Sequence, residues 1–188
     1  MNLPNKLTIT RIILIPVFVA VYFITAIPYR FILSAIVFAI AALTDLLDGK
    51  IARKYNLVTD FGKFLDPIAD KILVLTALVI MLVDSGNVQI LPWYCGIGVA
   101  IILARELTVS GFRMLAASKG KVLAADWSGK IKATVQDIAV VVLLVSQDFS
   151  LNGILYYLGL ALFGIAVILT VYSGLDYLIK NHKVIESK

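Results

Sequence analysis

Four aspartates, spaced as Asp45-x-x-Asp48 and Asp66-x-x-x-Asp70, are the residues of this chain whose types and spacing point most directly to chemistry. On a helix, the spacings i, i+3 and i, i+4 put each pair on one face. The runs around them are apolar, and an ionised carboxylate at membrane depth costs roughly 2.5 to 3.5 kcal/mol on insertion scales, so the four require compensation. A hard divalent cation, Mg²⁺ or Mn²⁺, suits a cluster built from carboxylates alone, with no His or Cys nearby to favour zinc. Ion pairing with Lys50, Arg53, Lys63 and Lys71 is the structural alternative. Carboxylates repeated on two helical faces exceed what such charge balance requires.

The residues between the acids extend this chemistry. Gly49 and Ala52 lie beside the Asp45/Asp48 face, where their small size lets a bulky ligand approach the backbone. Arg53 and Lys63 bracket the stretch with positive charge, and a guanidinium suits phosphate oxygens, so cation, Arg and small-residue floor together read as a pyrophosphate site. Further along, Arg105 and Arg113 are about two turns apart and form a plausible phosphate clamp. Glu106 and Arg113, at i, i+7, share a face and are equally able to pair with each other. Near the start, Thr8 and Arg11 read either as a helix start with a snorkelling cation or as a contact to a lipid-linked phosphate.

The elements that must position these residues are membrane helices. Of 188 residues, 61% are hydrophobic and 15% charged, with a mean hydropathy of +0.97, which excludes an ordinary soluble domain. The expected fold is all-α, a single polytopic membrane domain over residues 1–188. A short N-terminal interfacial segment leads into spans near 8–27, 29–53, 60–83, 90–117, 129–146 and 154–179. No cleavable signal peptide is expected, since the opening lacks a small-residue cleavage pattern. Pro16 is tolerable in such a helix, and for Pro67, directly after Asp66, two readings stand: it kinks span three or frees a carbonyl near Phe64, or it is simply tolerated. The net charge of +5 belongs to basic residues at the ends of apolar runs, which points to lipid or nucleotide phosphate and not to nucleic acid. Cys95 and His182 are single, so disulfide and cysteine-metal chemistry within one chain fail. Connections near Asp84 and Asp148 carry no Lys or Arg, and the one near Pro28 carries only Arg30. The positive-inside asymmetry therefore places both termini and the aspartates in the cytoplasm, in a cell membrane.

The pattern Asp45-x-x-Asp48-Gly49-x-x-Ala52-Arg53, then eight residues, then Gly62-x-x-x-Asp66-x-x-x-Asp70, resembles the signature of the CDP-alcohol phosphotransferase family. The resemblance implies an integral membrane enzyme that moves a substituted phosphoryl group from a CDP-linked donor to an alcohol, releasing CMP. The opening Leu3-Pro4-Asn5-Lys6-Leu7-Thr8-x-x-Arg11, the segment Ala104 to Arg113 and Gly129-Lys130-Ile131-Lys132 are similar to bacterial members that make phosphatidylglycerophosphate. What this likeness implies is transfer from CDP-diacylglycerol to sn-glycerol 3-phosphate by a homodimer holding two divalent ions. Asp45 and Asp66 would bridge them, Asp48 completing one and Asp70 the other, with Asp70 also the base for the acceptor hydroxyl. Thr8, Arg11, Gly49, Ala52, Arg53, Thr59 and Gly62 would meet the CDP-diacylglycerol, and Arg105, Arg113 and Lys130 the glycerol phosphate. Inositol phosphate, serine or a phospholipid would use the same donor half. An intramembrane prenyltransferase and a cation transporter also place acids in membranes. The first needs a longer chain, and the second would spread its polar groups across the bilayer.

Overall fold

A computed structural model describes the backbone of residues 3–54, 60–118, 127–149 and 153–181, and the side chains within them except those of 3–6, 45–54, 60–67 and 70. These residues form α1 (Leu3–Phe23), α2 (Arg30–Lys54), α3 (Asp60–Ile80), α4 (Gly96–Ser118), α5 (Trp127–Asp148) and α6 (Ile154–Asn181), with a 3₁₀ turn at Trp93–Cys95 leading into α4. No strand occurs among the described residues. The all-α expectation holds.

The helix ends follow local chemistry. The expected interfacial segment is not a separate element, because α1 is continuous from Leu3 through Pro16. It stops at Phe23 and not at residue 27, since Pro28 disfavours the α conformation at Ile27 and Tyr29 adopts a φ of 53°. The helical assignment of α3 also runs through Pro67. It ends at Ile80, where i→i−3 bonds from Leu82 to Val79 and from Val83 to Ile80 tighten the last turn. Gly86 and Asn87, at φ 63° and 67°, then reverse the chain, and the Leu91 amide donates to the Met81 carbonyl at 2.8 Å. Span four was expected from about residue 90, but α4 begins only after this turn, at Gly96.

Packing gathers the helices around one core. Helix α1 lies against α2 and α3, α2 also meets α5, and α6 packs on both α5 and α4. The rings of Phe18 and Phe38 lie 6.0 Å apart and those of Tyr22 and Phe31 5.5 Å apart, while Leu73, Met81, Ile102 and Leu143 are fully buried between the elements. Where α5 meets α6, a Cβ on Gly159 would stand 2.7 Å from Leu143 Cγ, so only glycine permits that approach. Ile97, Met114, Ile154, Ile168 and Ile179 are exposed, and an apolar exterior of this kind suits lipid.

Among the described residues, two helical stretches, Trp93–Ser118 and Ile154–Asn181, are long and apolar enough to cross a membrane. Among the described side chains, α1, α2 and α3 contribute the apolar helical stretches Leu7–Phe23, Arg30–Thr44 and Lys71–Ile80. The rest of α2 and α3 carries the aspartate motifs. The three connections poor in Lys and Arg converge at one end of the bundle. Arg30 donates to Ser85 Oγ at 3.1 Å and to the Ser85 carbonyl at 2.5 Å, and the Ile32 amide donates to Asp148 Oδ2 at 2.8 Å.

Candidate functional site

The aspartate motifs sit on neighbouring helices. Asp45, Asp48, Gly49, Ala52 and Arg53 are helical residues of α2, and Gly62, Asp66 and Asp70 are helical residues of α3, two elements that pack together and that α1 also contacts. The side chains of these eight residues, and Thr59 altogether, lie outside the described ones. Among the described residues no three His, Cys, Asp or Glu side chains form a metal cluster. Two packed helices supplying four carboxylates and no softer ligand fit a hard divalent cation in donor chemistry.

Arg11 and Thr8 approach this region from α1. Arg11 is 0% exposed, so it is enclosed by protein and the snorkelling reading does not hold. Its Nε donates to the Ala41 carbonyl at 3.3 Å, which also accepts from Thr44 Oγ1 at 2.7 Å. Ala41 is one turn before Asp45, since the helical bond of its carbonyl belongs to residue i+4. Thr8, three residues before Arg11 on the same face, is equally buried. Arg11 therefore meets α2 one helical turn before the first aspartate.

From α3 the chain of contacts continues into α4 and α5. Lys71, directly after Asp70, donates to Ser110 Oγ, and Ser110 Oγ donates to the Glu106 carbonyl at 2.6 Å. One carboxylate oxygen of Glu106 accepts from Arg105 Nη1 at 3.0 Å and from Lys132 Nζ at 2.8 Å. Glu106 thus pairs with its neighbour and with α5, and Arg113, the partner the i, i+7 spacing offered, is elsewhere. The Arg113 guanidinium lies 5.6 Å over the Tyr177 ring of α6. A Cβ on Gly174 would lie 3.1 Å from Arg105 Cγ. Gly174 and Tyr177 are i, i+3 on α6, so two arginines eight residues apart on α4 reach one turn of one helix. Arg105 Nε and Arg113 Nε are buried without a hydrogen-bond acceptor, as are Ser128 Oγ and Tyr177 Oη without partners.

A cavity of about 50 Å³ adjoins this network, lined by Lys71, Glu106, Lys132, Gln136 and Asp137 together with apolar and small side chains. Gln136 Oε1 is buried there without a donor. Buried polar atoms left without a partner are rare in folded proteins, and each is a place where water or a ligand can complete the bonding. The unpaired donors near α4, two guanidinium N–H groups and two hydroxyls, are of the types that suit phosphate oxygens.

Lys130 is exposed, its ammonium 5.6 Å from the Trp127 ring. The buried lysine of this segment is Lys132, at 2% exposure. A sequence signal distinguishes the two, because Lys132 shares the stripe of buried Gln136, Ala139, Val140 and Leu143 at i+4, i+7, i+8 and i+11. Lys130 falls roughly 200° from Lys132 on the helix, off that stripe. Glu106 as a hub, Lys71 and Gln136 were likewise missed, because a Glu beside an Arg carries no mark of which one faces inward.

Over residues 1–172 the sequence matches the family model described as CDP-alcohol phosphatidyltransferase. The chain belongs to the CDP-alcohol phosphatidyltransferase family. Its match includes both aspartate motifs, Arg105, Arg113 and Lys132. Among similar family members is a Bacillus subtilis (strain 168) protein named CDP-diacylglycerol–glycerol-3-phosphate 3-phosphatidyltransferase. It is 41% identical over 198 aligned residues, covering 99% of this chain and 98% of the relative. Proteins of the same name from Salmonella paratyphi A and Shigella flexneri serotype 5b are 40% and 39% identical over 181 residues, each covering 94% of this chain and 93% of the relative.

Proposed function

We propose that this member of the CDP-alcohol phosphatidyltransferase family transfers the phosphatidyl group of CDP-diacylglycerol to sn-glycerol 3-phosphate, forming phosphatidylglycerophosphate and releasing CMP. The observation that carries the reading is identity near 40% across almost the whole of both chains to enzymes bearing that name. Similarity of that extent includes α4 and α5, where the acceptor would be chosen, and it favours this reaction over prenyl transfer, cation transport or another acceptor.

In this reading the acceptor hydroxyl oxygen bonds to the phosphatidyl phosphorus, the bond from that phosphorus to the CMP oxygen breaks, and Asp70 takes the hydroxyl proton. Asp45, Asp48, Asp66 and Asp70 would hold two divalent cations, Mg²⁺ or Mn²⁺, which when bound neutralise the donor's pyrophosphate. Arg53, Thr59 and the small residues Gly49, Ala52 and Gly62 would receive the CDP-linked donor, with Thr8 and Arg11 enclosing it from α1. Arg105 and Arg113 would hold the acceptor phosphate, supported by their unpaired buried donors. Lys132 supplies the interior ammonium, and Lys130 would meet the phosphate from the exposed side of α5. Purified protein should release CMP from CDP-diacylglycerol only with glycerol 3-phosphate and a divalent cation present. Faster release with inositol phosphate or serine would refute the acceptor.

The proposal includes six membrane crossings, with both termini and the aspartate motifs on the cytoplasmic side, and a homodimer. The meeting of the three connections poor in Lys and Arg at one end supports that topology. After replacement of Cys95, a cysteine at Asn87 should label from outside intact cells and one at Asn56 should not. The reverse pattern would overturn the orientation.

A further inference from the structure

We propose that Glu106 is a positioning residue, whose carboxylate fixes the Arg105 guanidinium and the Lys132 ammonium in the orientation that receives the acceptor's phosphate. The proposal rests on the reading that Arg105 holds that phosphate. Arg105 is confined on three sides. Its stem passes over Gly174 and its Nη2 faces Gly129, where an added Cβ would lie 3.2 Å away, while Glu106 takes Nη1 at 3.0 Å. With those contacts made, the Nε donor stays buried and unused. Lys132, at 2% exposure, has its ammonium 2.8 Å from the same Glu106 oxygen, so a single atom sets the separation of two cations carried by different helices. The main chain of Glu106 is itself held through Ser110 and Lys71, which ties this arrangement to the helix of Asp66 and Asp70.

A carboxylate among cations has an alternative role, to offset their charge, and the two roles give opposite signs in one experiment. If Glu106 only offsets charge, Glu106→Gln leaves the cluster more positive and phosphate binds more tightly. If it positions the cations, the same change lets both side chains relax away from the phosphate and binding weakens. Full-length enzyme assayed in mixed micelles of CDP-diacylglycerol should show, for Glu106→Gln, a KM for glycerol 3-phosphate raised about tenfold, with the KM for CDP-diacylglycerol within about twofold of the parent. Gly129→Ala should raise the glycerol 3-phosphate KM severalfold. It removes no charge, sets a methyl group against Arg105 Nη2, and favours the helix, so the melting temperature is kept. A lower or unchanged glycerol 3-phosphate KM in Glu106→Gln overturns the proposal. Should that variant fail to fold, Gly129→Ala decides alone, and an unchanged KM there is fatal. Arg105→Ala separates the levels. If it leaves the glycerol 3-phosphate KM unchanged, the acceptor-site reading falls and the positioning role with it. If it raises that KM while Glu106→Gln does not, only the positioning role falls.

Discussion

Arg30 at one place in this bundle, and Arg105 and Arg113 at another, are used in different ways. At the end where the connections after α1, α3 and α5 meet, Arg30 has both terminal nitrogens bonded to Ser85 and its guanidinium 4.5 Å over the Phe31 ring. Ser85 Oγ passes the connection on to the Tyr22 carbonyl, and Asp148 closes the start of α2 through the Ile32 amide. On α4, Arg105 and Arg113 are only partly buried, yet each keeps a buried Nε with no acceptor. A guanidinium whose donors end on neighbouring backbone and hydroxyl groups is a clamp. One that leaves a buried donor unpaired costs stability, which is the cost the proposed acceptor phosphate would offset. The difference teaches that burial of an arginine does not assign its role, and the destination of its N–H groups does.

The contrast is open to direct test, and the largest effect is expected at the aspartates. Asp45→Asn and Asp66→Asn should reduce CMP release to background while membrane insertion is unaffected, because neutralising an acid eases its transfer into lipid. Wild-type-like turnover in either purified variant would remove the metal role. Next, Arg105→Ala and Arg113→Ala should raise the KM for glycerol 3-phosphate roughly tenfold to a hundredfold, the equivalent of a lost charged hydrogen bond of about 1.5 to 3 kcal/mol. The KM for CDP-diacylglycerol should stay near its parent value, and equal changes in both constants would show that α4 does not discriminate the substrates.

Arg30→Ala should do the opposite, lowering stability by about 2 kcal/mol with both KM values unchanged in the surviving enzyme. Thermal unfolding in detergent, read beside initial rates, checks this, and a selective rise in the acceptor KM would erase the distinction between clamp and receptor. The smallest effect is assigned to Asp148→Ala, which removes a side-chain acceptor from a helix N-terminus and should cost about 1 kcal/mol. No change in melting temperature would mean that water replaces the carboxylate there.

What the sequence determined by itself is local in origin. The length and hydropathy of the apolar runs point to an all-helical fold, because a backbone at membrane depth must satisfy its own hydrogen bonds, and the described residues form six helices. The helices observed follow the expected spans, except where Pro28 and the Gly86–Asn87 reversal end them sooner than hydropathy suggests. The aspartate motifs were legible because their spacing is a property of one helix at a time, and their family signature is equally linear. Tertiary structure decided the choices that depend on which face a neighbour covers. It buried Arg11 beneath Ala41 where an interfacial cation was an open reading. It gave Glu106 to Arg105 and Lys132 in place of Arg113, and it put Lys132 inside and Lys130 outside. The i, i+7 spacing of Glu106 and Arg113 allows a pairing but does not compel it. The Glu106 carboxylate goes to the neighbouring Arg105 and to Lys132, whose buried ammonium has little water to turn to.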